Sequence, residues 1–230
     1  MAVWDFTSFS FVYKKRKDME AFIWIALIGG PGTAKHAVKD AMVAADGFVP
    51  MEPQNTVPLH PDGMSLQVQM MVSRWRMQRE IQKRTADEDL VTVRTLWDTH
   101  AVYSGLMLRH NEITDREFCQ LRNIDAALTE TVEPPTVIIH LKATRISQAQ
   151  RLGLRQRTQL SDEYLTDLAR LYNDFADRIR IPVVEIDAGR PFEEVLTDVR
   201  GEIMAVRASR QTGGPTIWQK SFWSGGAAGA

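Results

Sequence analysis

A glycine-rich loop is the stretch of this sequence whose residue types best suit chemistry: Gly29-Gly30-Pro31-Gly32-Thr33-Ala34-Lys35-His36. It directly follows an apolar run at residues 22–28 and directly precedes a segment with helical periodicity. In a phosphate-binding loop, glycines let successive backbone N–H groups converge on phosphate oxygens, and the next helix presents its positive end. Against the pattern G-x-x-x-x-G-K-S/T, Gly29 and Lys35 match, whereas Ala34 and His36 replace the second glycine and the hydroxyl residue. The loop alone leaves two interpretations open, a phosphate site and an ordinary strand-turn-helix junction.

The elements that position this loop follow a repeating pattern. Short apolar runs, rich in branched residues, predict strands at residues 22–28, 47–51, 90–93, 136–141 and 182–186. Helical periodicity between them predicts helices at residues 35–45, 65–83, 97–109, 115–129 and 161–178, the last beginning at a Ser161 cap. Strands that alternate with helices indicate parallel pairing, and continuous apolar strands indicate a sheet covered on both faces. We therefore expect an α/β fold over residues 21–207.

The predicted helix at residues 65–83 has an apolar face and a polar remainder. Its apolar face carries Val68, Met71, Val72 and Trp75. The residues that fall elsewhere are Arg74, Arg76, Gln78 and Arg79.

Charge and composition exclude several classes of protein. With 28 Lys and Arg against 29 Asp and Glu, the formal net charge is −1, which excludes nonspecific nucleic-acid binding by overall charge. The hydrophobic fraction of 44% excludes a disordered chain. The apolar run at residues 22–28 is far shorter than the roughly 20 residues that span a membrane, and no signal peptide precedes it. Since the single Cys119 is compatible with a reducing compartment, we expect a cytoplasmic protein without a membrane partner.

The two ends of the chain differ from its body. Residues 1–20 combine aromatic residues with the basic cluster Lys14-Lys15-Arg16-Lys17, which predicts an N-terminal arm. Residues 208–230 are rich in glycine, which predicts a flexible C-terminal tail.

Several further motifs occur in an order that resembles the deoxynucleoside kinase and thymidylate kinase branch of the P-loop kinases. The glycine-rich loop lies where that family binds phosphate, in a degenerate form. Glu52-Pro53 matches the family's Glu-Pro pair after the second strand, and Arg94 matches the arginine after its third strand. An arginine-rich lid near residues 151–160 follows, with Arg151, Arg155 and Arg157. The resemblance spans about residues 22–205 and implies a three-layer sandwich, with a five-stranded parallel sheet flanked by helices.

The resemblance also implies roles for these residues. Glu52 would be the general base or would bind the substrate sugar, Lys35 and Arg94 would assist catalysis, and the lid arginines would close over the transferring group. The residues that would hold ATP are Gly29, Gly30, Gly32, Thr33, Ala34, Lys35 and His36. Each role has a plainer alternative: Glu52 as a surface acid, Arg94 paired with a surface carboxylate, and the lid arginines as a solvated helix face.

Magnesium is the part of the resemblance that the sequence puts in doubt. The family holds Mg²⁺ with the hydroxyl after the loop lysine and with an acidic residue that closes the third strand. Here those positions are His36 and Val93. Magnesium prefers oxygen ligands, which neither residue supplies, so Asp98 and Glu52 are the remaining candidates.

The resulting hypotheses differ in whether the protein is an enzyme. The first is a kinase that transfers the γ-phosphoryl group of ATP to a nucleoside or nucleotide, with a pyrimidine base. A variant of it acts on 5-hydroxymethyl-deoxyuridine in DNA, as related bacteriophage enzymes do. The basic cluster at residues 14–17, with Arg74, Arg76 and Arg79, would provide a basic track for the strand. The second is a kinase-fold scaffold that has lost catalysis. Because relatives form dimers, the segments from Ser65 and from Trp97 are candidates for a homodimer interface.

Overall fold

The computed structural model describes residues 22–53, 63–84, 88–144 and 160–211. Its strands are β1 (Trp24–Ile28), β2 (Val49–Met51), β3 (Leu90–Val93), β4 (Val137–Lys142) and β5 (Val183–Asp187). Its helices are α1 (Lys35–Ala45), α2 (Gly63–Ile81), α3 (Leu96–Asp98), a π-helical turn (Thr99–Ser104), α4 (Gly105–Arg109), α5 (Asp115–Thr129), α6 (Asp162–Arg178) and α7 (Phe192–Gln211). The predicted arm and the lid residues Arg151, Arg155 and Arg157 lie outside the described residues. Within those ranges, no helix is both long and apolar enough to cross a membrane.

The five strands form one parallel sheet in the order β2-β3-β1-β4-β5. Strand β1 is central: Ile25 lies opposite Val91 of β3 on one side and Val137 of β4 on the other. Because parallel strands share a direction, their carboxyl ends lie along one edge of the sheet, where open α/β proteins bind ligands. The loop after β1, Glu52 after β2 and Arg94 after β3 therefore lie on that edge.

Helices cover both faces of the sheet. On one face, Val38 and Met42 of α1 and Val199 of α7 pack against Leu27 and Ile139. On the opposite face, the π-helical turn, α4 and α6 contribute Val102, Leu106, Leu168, Tyr172 and Phe175. Burying a large apolar side chain contributes roughly 1.5–3 kcal/mol relative to leaving it exposed, so this double covering is the main stabilisation of the sheet. The predicted three-layer α/β sandwich is confirmed.

Side-chain contacts set where the helices begin and end. Ser161 Oγ accepts a hydrogen bond from the Tyr164 N–H at 3.1 Å, which confirms the predicted start of α6. Helix α7 continues to Gln211, past the predicted domain boundary at residue 207. Its last turn is held against the sheet because Arg210 donates to the Phe22 backbone oxygen at 2.5 Å.

Helix α2 buries more polar residues than its sequence pattern indicates. The pattern places Arg74 and Gln78 off the apolar face, but the structure buries both, together with Gln67 and Met71. These four residues recur at intervals of three or four, so they form one stripe along the helix. The helix packs between α5 and the π-helical turn, and an element with neighbours on two sides has a wider buried face.

Asp89 links the start of β1 to α7 through hydrogen bonds, and replacing Asp89 tests how much this link stabilises the fold. Asp89 Oδ1 accepts from the Ile23 N–H at 2.9 Å and Oδ2 accepts from Arg207 Nε at 3.1 Å. We expect Asp89→Ala to lower the free energy of unfolding by about 1–3 kcal/mol in urea titrations, because both donors lose their partner. The control is Glu88→Ala, whose exposed pair with Arg84 contributes about 0–1 kcal/mol. Equal losses in the two variants would contradict this role for Asp89.

Candidate active site

The loop between β1 and α1 lies so close to β4 that only glycine fits at its first position. Gly29 has a φ of +139°, and a Cβ there would lie 2.4 Å from the backbone oxygen of Leu141. Gly32 also has a positive φ, of 75°. Thr33 Oγ1 donates to the Gly30 backbone oxygen at 2.9 Å, which closes the turn from within. These features fix the backbone conformation of the loop up to the start of α1.

Ala34 stores backbone strain at the residue before α1. Its φ of 61° and ψ of 14° lie in the left-handed region, which costs a residue with a Cβ roughly 1–2 kcal/mol. This is the position where the phosphate-loop pattern has its second glycine. Helix α1 has no side-chain cap at this end, a feature of helix starts that bind anions.

Lys35 is buried and turned inward. Its Nζ donates to the Gly30 backbone oxygen at 2.8 Å. Burial and then the Arg94 guanidinium lower the pKa of Lys35 to about 7, against the opposing effect of Asp98. A lysine whose pKa lies near neutrality gains charge readily when a phosphate arrives.

Glu52 and His36 lie at the exposed rim of this edge. Glu52 follows β2 and forms an ion pair with Lys39 of α1, which brings the carboxylate beside the loop. His36 stands on the first turn of α1. Partial burial lowers the pKa of His36, and the cations Lys35, Lys39 and Arg94 lower it further, so the imidazole is neutral at pH 7.

Arg94 turns away from the surface as soon as β3 ends. Its φ is 69°, again left-handed, and its N–H donates to the Leu27 backbone oxygen at 2.9 Å. Its guanidinium carbon lies 4.2 Å from the centroid of the Tyr103 ring. The alternative that pairs Arg94 with a surface carboxylate therefore does not describe its contacts. Strain of this kind persists where the surrounding structure enforces it, and it clusters at functional sites.

Asp98 fixes the backbone at the same point. Asp98 Oδ1 accepts from the Thr95 N–H at 2.5 Å and from Thr95 Oγ1 at 2.8 Å, while Oδ2 accepts from the Tyr172 hydroxyl at 3.4 Å. The Tyr172 hydroxyl also lies 3.0 Å from that of Tyr103. A chain of hydrogen bonds thus runs from the end of β3 to helix α6.

Three buried or half-buried cations surround this one carboxylate. Arg74 of α2 donates from Nη1 to the Val93 backbone oxygen at 2.8 Å, and burial lowers the pKa of Arg74. Asp98 raises the pKa of Lys35 and of Arg74, whereas Arg94 lowers both. Within the part of the chain that the structure describes, this cluster carries more positive than negative charge. Such a site favours an anionic ligand.

Sequence reasoning missed the burial of Arg74 and the candidate role of Gln67, which lies on the same face of α2. Gln67 is 5% exposed, and its Nε2 lies 3.1 Å from Sδ of Met107. Gln67 Oε1 has no hydrogen-bond partner among the described residues. The sequence signal that could have indicated their burial is the spacing of the polar residues at 67, 74 and 78, which lie on the same helical face as Met71.

The residues at this edge do not fit a protein-held magnesium ion. In the P-loop kinases that this sequence resembles, two positions hold the magnesium ion. Here those positions carry the exposed imidazole of His36 and the isopropyl group of Val93. Among the described residues, no group of three or more His, Cys, Asp or Glu is arranged to hold a metal ion. Asp98 has both oxygens in hydrogen bonds and is fully buried. Magnesium requires oxygen ligands in near-octahedral geometry, which this set does not offer.

Comparison with known proteins assigns the family. The model of the deoxynucleoside kinase family matches residues 61–207, which include Arg94 and Asp98. This chain belongs to the deoxynucleoside kinase family. The matched range begins after the glycine-rich loop and after Glu52, so the family match rests on the part of the chain from α2 to α7.

Individual relatives agree with this assignment. A curated deoxyadenosine kinase from Dictyostelium discoideum is 26% identical over 164 residues, covering 67% of this chain and 65% of that protein. This chain therefore matches just under two thirds of that relative's length. A structure of deoxyadenosine kinase from M. mycoides with bound dATP has a TM-score of 0.66 at 15% identity, covering 79% of this chain and 100% of that one. A second structure, with bound dCTP, has the same TM-score at 14% identity. These structures confirm the fold.

The pKa of Lys35 predicts how nucleotide affinity depends on pH. Phosphate favours the ammonium form, so above about pH 7 the free protein must take up a proton when it binds ATP. We expect the affinity for ATP to fall about tenfold between about pH 7 and about pH 8.5, measured by calorimetry. In Lys35→Arg the charge persists across this range, so the dependence is expected to flatten. The same slope in both proteins would contradict the assignment of Lys35 to the phosphates.

Proposed function

We propose that this protein is a deoxynucleoside kinase that transfers the γ-phosphoryl group of ATP to a hydroxyl group of a deoxynucleoside. The observation that carries this proposal is the cluster of Lys35, Arg74 and Arg94 around Asp98, beside the loop at the carboxyl edge of the sheet. Phosphoryl transfer depends on positioning and on neutralising charge more than on covalent chemistry by the protein. A site with excess positive charge next to a phosphate-type loop suits that reaction, and the family membership supports it.

On the donor side, the loop and two cations have separate tasks. The backbone of residues 29–36 and the Nζ of Lys35 bind the terminal phosphates, after Lys35 leaves its contact with the Gly30 backbone oxygen. Arg94, held over Tyr103, neutralises charge on the transferring group. The closing of Arg151, Arg155 and Arg157 over that group stays a prediction.

On the acceptor side, Glu52 is the general base. Its ion pair with Lys39 of α1 holds the carboxylate at the edge of β2. As the hydroxyl oxygen of the deoxynucleoside bonds to the γ-phosphorus, the bond from that phosphorus to ADP breaks. The hydroxyl proton passes to Glu52. The alternative role of Glu52 as a surface acid is consistent with its exposure, but it does not explain why Glu52 pairs with Lys39 of α1.

Gln67 supports an acceptor base that carries an amino group. A buried carboxamide offers one acceptor and two donors in a plane, and its oxygen can accept from the exocyclic amine of adenine or cytosine. The free Oε1 of Gln67 lies on the same helical stripe as Arg74. Deoxycytidine agrees with the pyrimidine preference predicted from the sequence, and deoxyadenosine is the substrate in the names of the relatives. These two nucleosides are the acceptors to test first.

The DNA-directed variant loses support from the placement of Arg74. Its predicted basic track combines residues 14–17, which lie outside the described residues, with Arg74, Arg76 and Arg79 on one accessible surface. Arg74 is buried and donates to the Val93 backbone oxygen, whereas Arg79 donates to the Thr131 backbone oxygen at 3.2 Å. The scaffold alternative is favoured by His36 and Val93, which replace the hydroxyl and the acid expected at those positions, and it is tested by the transfer assay below.

Replacing the proposed base tests the kinase assignment. With ATP and the better of deoxyadenosine and deoxycytidine, we expect Glu52→Gln to lower kcat by about 10²–10⁴-fold, because no carboxylate then accepts the proton. Binding of ATP, measured by calorimetry, is expected to persist. Product is measured as labelled deoxynucleoside monophosphate.

The matched control is Glu88→Gln, which removes another exposed carboxylate that is paired with a cation. It should leave kcat unchanged. If the wild-type protein binds nucleotide but labels no deoxynucleoside, the kinase function is wrong and the scaffold alternative stands. If Glu52→Gln transfers at the wild-type rate, Glu52 is not the base.

A further inference from the structure

We infer that this protein binds the polyphosphate of its donor nucleotide without a protein-held magnesium ion, using Lys35 and Arg94 as the source of positive charge. This inference rests on the proposed nucleotide site and goes beyond it by assigning the site's charge to side chains. It follows from three observations at the carboxyl edge of the sheet.

The first observation is that the oxygen atoms nearest the loop already have partners. Thr33 is fully buried, and its hydroxyl donates to the Gly30 backbone oxygen. Asp98 is committed to Thr95 and to the Tyr172 hydroxyl. Releasing Asp98 would leave its buried donors without an acceptor, which costs about 1–3 kcal/mol for each. A metal ion at this edge would therefore compete with contacts that hold the fold.

The second observation is that Glu52, the accessible carboxylate after β2, is paired with a cation. Lys39 lies within hydrogen-bonding distance of Glu52 and 3.3 Å from Asp40, so it binds two carboxylates at the rim. The carboxylates of Glu52 and Asp40 therefore already have a side-chain cation as their partner.

The third observation is the sign of the charge beside the loop. Lys35 and Arg94 lie close enough that the guanidinium lowers the pKa of the amine, and His36 is subject to the same cations. A divalent cation held here would be repelled by both groups. A nucleotide without metal carries more negative charge than its magnesium complex, so this cluster favours the free nucleotide or is indifferent to the metal.

Calorimetric titration of the full chain with ATP and with ADP, in excess Mg²⁺ and in EDTA, tests the inference. We expect the two Kd values for each nucleotide to agree within about threefold, or to be lower in EDTA. Binding that is about tenfold or more tighter in Mg²⁺ would overturn the inference while leaving the nucleotide site in place. Absence of binding under both conditions would overturn the proposed function as well.

Two variants test whether the ligand positions are the cause. In His36→Ser together with Val93→Asp, the side chains supply a hydroxyl and a carboxylate where magnesium ligands are missing, so ATP binding is expected to become at least about tenfold tighter in Mg²⁺ than in EDTA. His36→Ser alone changes an exposed residue and is expected to fold like the wild type, with a smaller Mg²⁺ effect in the same direction. If both variants remain indifferent to Mg²⁺, the attribution to His36 and Val93 is wrong.

Discussion

The candidate site depends on the interactions of a single buried carboxylate, that of Asp98. It is fully buried, it accepts two hydrogen bonds from Thr95, and it raises the pKa of Lys35 and of Arg74 nearby. An isolated buried charge is strongly destabilising, so Asp98 and the cations stabilise one another. Yet one carboxylate cannot balance Lys35, Arg74 and Arg94 together. The fold therefore keeps net positive charge at the carboxyl edge of its sheet, which favours the binding of an anionic ligand.

Two segments of the chain contribute to this cluster, and their sequences differ in how closely they match the family. The segment with Arg94 and Asp98 lies within the range that the family model matches. The segment with the glycine-rich loop precedes that range, and there Ala34 and His36 depart from the phosphate-loop pattern. Ala34 nevertheless adopts the left-handed conformation that the missing glycine would adopt easily. The loop thus retains its backbone shape, and in our proposal Lys35 and Arg94 carry the charge that a metal would otherwise share.

Much of the fold could be predicted from the sequence, because apolar runs and helical periodicity report burial directly. The predicted bounds of α1, β3 and α5 agree with the structure, and Ser161 caps α6 as expected. The predicted helix over residues 97–109 is interrupted by a π-helical turn, which no periodicity reports. The burial of Arg74 escaped prediction because a polar residue on a helix is expected to face solvent. The contact of Arg94 with Tyr103 also escaped prediction, because it depends on the left-handed backbone conformation of Arg94, which the sequence pattern does not report.

The most direct test of the account is a crystal structure of the full chain with ADP, grown without added metal. The account predicts that the phosphates lie against residues 29–36, that Lys35 Nζ has left the Gly30 backbone oxygen to contact them, and that Arg94 remains over Tyr103. A nucleotide bound away from this loop, with Lys35 still joined to Gly30, would contradict it. So would a metal ion held by His36, since the proposed site takes its charge from the protein's own cations.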